Sequence, residues 1–403
     1  MAQAIDRVHY IWNNILTERN NGGVSLARAR LVTESWKQTS MYPQPIRRGL
    51  AVKHILENIP LFIDDEQLFC GSYSSKSMWG EWYPEYESKF LLNADDDEPA
   101  LQKMSRNPED KDEIRQIAAF WSELSIEDQF EHYLSPEDRA VLLLMDEDHA
   151  HCGAVNAARA RQGGYYCVNI EKVIKKGLKG VIEEIDEQLA KLEINGHEAL
   201  RKSQNLQGWK YALQGGIAYG HRCAQLCRDT ANKISDPIRK AELLMMAKVC
   251  DQVPENPART FHEALQATYF VQIFIYLESR GDGVSPGRVD QYTYPCYKSD
   301  REKGALTDEQ AIELINCFRI KFNTFRQLSS KSFMNTTSGE AQFHNITLGG
   351  TDRYGNSAVN EVSYLFLEAA LRLRMPHPTS SVRYFDQIPK EFLDKALQVV
   401  AQG

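Results

Sequence analysis

Residues 343–385 read FHNITLGGTDRYGNSAVNEVSYLFLEAALRLRMPHPTSSVRYF. FHNITLGGT has the make-up of a short strand running into a Gly-Gly turn, and PTSSVRYF that of a second strand. Between them, Asn360 to Leu373 carries the apolar spacing of a helix. Just upstream, TDEQAIELINCFRIKFNTFR (307–326) predicts a capped helix. Helix, strand, turn, helix and strand in succession make an α/β texture.

Further upstream the chain reads as helices. Residues 261–278, FHEALQATYFVQIFIYLE, are hydrophobic on most sides, which predicts burial between layers. Two long helices are expected at about 205–232 and 236–252. Another, IEKVIKKGLKGVIEEIDEQLAKLE, lines up Ile170, Val173, Ile174, Leu178, Ile182, Ile185 and Leu189 on one face. Nearer the N-terminus, residues 25–39 predict a helix with Ser25 as N-cap, and 46–59 a second one ending before Pro60. LFIDDEQLFCGSY (61–73) reads as two extended pieces around an acidic turn, and 94–99 as a solvated loop. The pattern over 108–145 is helical, with Ser135-Pro136-Glu137 as a helix start. Residues 146–168 are the least regular of the first half. VPENPART near 250 divides a helical region, about 1–250, from the α/β region, about 251–403.

A hydrophobic fraction of 42% and a charged fraction of 25% are those of a globular protein. The net charge of -8 and the absence of clustered Lys and Arg argue against a nucleic-acid surface. No apolar run is long enough to span a bilayer, and MAQAIDRVHYIWNN has no signal-peptide core, so a cytoplasmic location is expected. The eight cysteines form no CxxC pair, and Cys223 and Cys227 have no histidine cluster beside them. Free thiols and no metal site are the expectation.

Four segments could carry chemistry. SRGDGVSPGR (279–288) is a glycine-rich loop, without the order of a dinucleotide or Walker fingerprint. It suits either a tight connection after a buried helix or a backbone approaching a ligand. RARQGGYYCVN (159–169) is either a surface loop or a pocket wall. In the second case Arg161 could fork onto a carboxylate or sulfonate, and Tyr165 could offer its hydroxyl. His149 and His151 in DEDHAH have a spacing common without a metal. The aromatics of WGEWYPEY (79–86) lack interleaved basic residues and read as packing.

The ordered series PQPIRRGLAVKHILENIPLFIDDEQLFCG, IEKVIKKGLKGVIEE, VPENPARTFHEALQ, SPGRVDQYTYP and LGGTDRYGNSAVNEVSYLFLEA resembles the glycyl radical enzymes. That is the family of pyruvate formate-lyase, and the series is similar to its dehydratase-like branch. The resemblance runs from about Ser25 to the end. It implies an α/β, helix-rich fold: the first half of a ten-stranded barrel, preceded by a large helical region. The thiyl cysteine and the radical-bearing glycine of the family both fall later than residue 403. The resemblance therefore implies an N-terminal portion that is inactive alone, with no catalytic residue among the eight cysteines.

The same resemblance places substrate-binding residues in two segments. Arg161 and Tyr165 stand in the first, Asp282 and Ser285 in the second, and Tyr165 and Asp282 replace histidines of glycerol dehydratase-like members. Arg161 resembles an arginine that holds the anion in sulfonate-cleaving members, so a small anionic substrate is expected. Carbon–sulfur or carbon–oxygen cleavage, decarboxylation, fumarate addition and formate acetyl transfer all stay open. So does a non-catalytic helical partner or dimerisation protein of the same ancestry. No cofactor is expected to bind directly. The radical is installed by a separate S-adenosylmethionine and iron–sulfur activase, and the complete enzyme is expected to be a homodimer.

Overall fold

The computed structural model describes residues 6–19, 23–92, 108–138, 140, 167–279, 281, 283–326 and 343–403. Helices α1 (Arg7–Arg19), α2 (Ala27–Gln38) and α3 (Gln44–Asn58) come first. Ser25 is not an N-cap. It lies in strand β1 (Val24–Ser25), which pairs in parallel with β2 (Gly80–Glu81). The first free N–H groups of α2 are nevertheless satisfied. Ser25 Oγ accepts from Ala27 at 3.1 Å, and the distant Glu81 carboxylate accepts from Arg28 at 3.1 Å. The short helices α4 (Lys89–Leu92), α5 (Pro108–Trp121) and α6 (Ile126–His132) follow. Trp82, Tyr83 and Tyr86 are buried, so these aromatics of the WGEWYPEY passage do pack inward.

Residues 61–73 contain no strand. Their stretch from Gln67 to Ser72 is a buried irregular chain, and such a chain needs partners for its backbone. Side chains supply them. Gln266 accepts from Cys70 N–H at 3.0 Å and donates to Cys70 C=O at 2.8 Å. Tyr219 Oη accepts from Ser72 N–H at 2.8 Å and donates to Ser72 C=O at 2.7 Å. Leu68 C=O is bonded by the His262 ring at 2.9 Å.

Helix α7 (Ile170–Ala190) is broken at Gly177, whose φ of 67° only glycine adopts cheaply. The break admits the VPENPA passage: Leu178 N–H donates to Pro254 C=O at 2.8 Å and Ala258 N–H to Ile174 C=O at 2.9 Å. Helix α8 (His197–Ala231) starts eight residues earlier than the sequence suggested, and α9 (Pro237–Gln252) returns beside it. Helices α3 and α8 pack backbone to backbone. A Cβ on Gly208 would lie 2.2 Å from Pro45 C=O, and one on Gly49 would lie 2.1 Å from Gly208 C=O.

Helix α10 (Phe261–Glu278) is the centre of the molecule, opened by a Thr260–Glu263 capping box. It touches α3, α7, α8, α9, α11 (Val289–Glu302) and α12 (Asp308–Lys321). Its buried residues include Phe261, Leu265, Phe270, Ile273 and Leu277, each contributing about 1.5–3 kcal/mol by leaving water. The glycine-rich loop ends at Arg288, because α11 begins at Val289, and that helix runs through Pro295.

Strand β3 (Asn345–Gly349) then enters the Gly349–Gly350 turn, where both residues have positive φ. Helix α13 (Glu361–Arg372), capped by Asn360, crosses to β4 (Thr379–Arg383), which lies parallel to β3. Gly287 adds a parallel bridge to Ile346, on β3. The result is a βαβ unit with a third extended segment beside it. Helix α14 (Lys390–Gln402) packs on α13 through Phe392 and Ala396, while Leu397 and Val400 stay exposed.

Candidate functional site

The C-terminal end of α10 delivers the chain into the glycine-rich loop, and three side chains of the N-terminal region hold that end. Arg28, fully buried, donates through Nε to Leu277 C=O at 2.8 Å and through Nη2 to Glu278 C=O at 3.2 Å. Arg48 donates to Glu278 C=O at 2.6 Å, and Tyr83 Oη to Tyr276 C=O at 2.5 Å. The last carbonyls of a helix lack partners and carry its negative dipole end, so cations satisfy them doubly. Arg28 is itself paired with Glu85 and lies 3.9 Å from the centre of the Tyr83 ring. Burial alone would lower the Arg28 pKa; the Glu85 carboxylate outweighs it and the net shift is upward.

Beyond the loop, SPGRVDQY works as a clamp on the β3 turn. The buried Asp290 carboxylate accepts from Gly349 N–H at 2.7 Å and from Ser363 Oγ at 2.6 Å. Burial raises the Asp290 pKa, and these two hydrogen bonds oppose the rise. Arg288 donates to Gly349 C=O at 2.8 Å and to Thr351 C=O at 3.2 Å. Gln291 donates to Ala358 C=O and Tyr292 to Pro286 C=O. The motif that carries much of the family resemblance is thus spent on architecture.

Of the four expected substrate-binding residues, Arg161, Tyr165 and Asp282 lie outside the described residues, as do His149 and His151. Ser285 is half-buried at the mouth of the loop. Its hydroxyl donates to Gly283 C=O at 3.2 Å and accepts from Asn345 N–H at 3.0 Å. One lone pair is left to face a ligand. Cys167 is the first described residue after RARQGGYY. Its Sγ would lie 3.2 Å from a Cβ built on Gly287. Cys167 of the first segment and Gly287 of the second therefore come together at the bridge between Gly287 and β3.

His344, unmarked by any motif, enters β3 fully buried. It packs against Tyr276, Phe322 and Phe325, and neither ring nitrogen has a hydrogen-bond partner among the described residues. Burial pushes its pKa down to about 3, which keeps the ring neutral at physiological pH. His262 is likewise pushed down by burial, to about 4. Arg28 and Arg48 were also missed. Their only sequence signal is that each sits in a predicted helix among buried positions.

Comparison with known proteins agrees with this geometry. A family model described as pyruvate formate lyase-like matches residues 1–403. The chain is 32% identical over 388 residues to the isethionate sulfite-lyase of Nitratidesulfovibrio vulgaris, covering 94% of this chain and 47% of that protein. It superposes with a TM-score of 0.89 on the glycerol-bound B12-independent glycerol dehydratase of Clostridium butyricum, at 32% identity. That match covers 100% of this chain and 50% of the other. A glycyl radical enzyme of Archaeoglobus fulgidus gives 0.87 at 30% identity, covering 99% and 50%. The chain spans about half the length of the relatives it matches. In sequence and in fold, it belongs to the pyruvate formate lyase-like family of glycyl radical enzymes.

Proposed function

We propose that this chain forms the substrate-binding portion of a glycyl radical lyase or dehydratase that acts on a small anionic substrate. The observation that carries the reading is the approach of Cys167, the first described residue after RARQGGYY, to Gly287 in the loop that holds Ser285. In this reading Arg161 forks onto the anion, and Tyr165, Asp282 and Ser285 bind the substrate beside the bond to be broken. Two relatives support the two kinds of bond cleaved, carbon–sulfur in the sulfite-lyase and carbon–oxygen in the glycerol dehydratase.

When present, the glycyl radical supplies hydrogen-atom abstraction through a thiyl cysteine, in the part of the family this chain does not span. The residues here bind and orient the substrate and exclude water around it. A radical S-adenosylmethionine activase, a cytoplasmic setting and a homodimer belong to the same proposal. The seven described cysteines are all free thiols, as a reducing compartment would leave them.

The test is anaerobic activation of the complete enzyme with its activase, followed by electron paramagnetic resonance and turnover. A glycine-centred doublet together with cleavage of a sulfonate supports the proposal. A doublet with turnover of neutral diols alone removes the anion from it. No doublet, with an activase proven on another substrate enzyme, defeats the radical reading. Formate acetyl transfer is the outcome that would move the chain to the transferase branch.

A further inference from the structure

Three cysteines far apart in sequence meet in the interior, away from the site above. Cys70 comes from the irregular chain 67–72, Cys227 from α8 and Cys250 from α9. Their sulfur atoms all lie within 4.8 Å of one another, and all three residues are buried. Cys70 Sγ also donates to Cys223 C=O at 3.6 Å. We propose that this trio is a capture site for a trivalent thiophilic metalloid, with arsenite as its ligand.

The number of sulfurs and the charge of the product select the ligand. Structural zinc takes four nitrogen or sulfur ligands and iron–sulfur clusters usually take four cysteines, whereas here three sulfurs lie mutually within 4.8 Å and the fourth nearby thiol, Cys223, touches Cys70 but falls outside that group. A divalent ion on three thiolates would leave net negative charge in a buried interior, which is costly. Trivalent arsenic on three thiolates is neutral. Arsenous acid is also small and uncharged, so it can follow the transient openings that any buried site undergoes.

The chemistry balances without a redox partner. Arsenous acid and three thiols give one arsenic bound to three sulfurs plus three waters. Three As–O and three S–H bonds break, three As–S and three O–H bonds form, and no electrons change hands. Burial raises the thiol pKa of Cys250, and the Cys70 and Cys227 thiols are raised as well. The protonated thiols supply the three protons that leave as water.

The decisive experiment treats the protein anaerobically with sodium arsenite, then denatures it and maps which cysteines iodoacetamide alkylates. Expected are one arsenic per chain by native mass spectrometry and protection of Cys70, Cys227 and Cys250 together. Cys317 is buried elsewhere and Cys167 is exposed, and both should stay fully alkylated. Cys227→Ser and Cys250→Ala should each weaken binding by more than about ten-fold, since each removes one of three bonds. The footprint on the unmutated protein needs no variant to fold. Protection of any other set, of two cysteines only, or of none would overturn the assignment.

Discussion

The Asp290 carboxylate accepts the N–H of Gly349 at 2.7 Å, across 59 residues of sequence. That one bond joins the first turn of α11 to the end of β3 and fixes where the Gly-Gly turn begins. Asp290→Ala strands a buried N–H and the Ser363 hydroxyl. It should cost about 2–4 kcal/mol in urea unfolding. Asp290→Asn keeps an acceptor oxygen and should lose clearly less. Equal losses would show that the charge, not the bond, matters.

Glu81 makes stability depend on pH. Burial pushes its pKa up to about 7 from the ordinary 4.5 of a glutamate, against the opposing pull of Ser74, Ser25 and Arg28. A carboxyl with a raised folded pKa contributes most below about pH 4.5 and loses that contribution as pH rises toward 7. Glu81→Gln keeps the acceptor for Arg28 N–H and removes the ionisation. The variant should match the wild type near pH 4.5 and exceed it at pH 8, by up to about 3 kcal/mol. Denaturant titrations at the two pH values check this, and a difference that does not change with pH would refute it.

Gly208 tests the close approach of α3 and α8. Its Cβ would fall 2.2 Å from Pro45 C=O, and backbone cannot swing aside as a side chain can. Gly208→Ala should therefore destabilise by about 2–3 kcal/mol, despite the better helix propensity of alanine. A midpoint shift in thermal unfolding reads it directly. A stabilised variant would mean the two helices are further apart.

For the substrate, Arg161→Ala in the complete, activated enzyme should raise KM for a sulfonate about ten- to a hundred-fold. That is the worth of a charge-assisted pair, and a neutral diol should be little affected. Equal changes for both would take Arg161 off the anion.

What the sequence disclosed was local. The Thr307–Gln310 capping box, the Asn360-to-Leu373 helix and the strand into Gly349–Gly350 all depend on neighbours within a few residues, and each is found in place. Long-range events were illegible. Ser25 looked like a cap because nothing local announces that Glu81 arrives as its strand partner. Residues 61–73 looked extended because side chains of Gln266 and Tyr219, some 150 to 200 residues away, take the place of a sheet neighbour. The interior Pro295 concealed α11. The cysteine grouping is hidden for the same reason, since Cys223 and Cys227 are near neighbours in sequence while the grouping in space joins positions 70, 227 and 250.

The grip of Arg28 and Arg48 on the last carbonyls of α10 bears on how such enzymes could be re-engineered. The loop after Glu278 takes its starting position from residues some 250 and 230 places earlier. Exchanging that loop alone between two relatives would move its letters without its anchor. A graft that also carried Arg28, Arg48, Tyr83 and Glu85 would transplant the foundation with the wall. On the proposed function, selectivity for a substrate is in this sense partly inherited through the N-terminal helices.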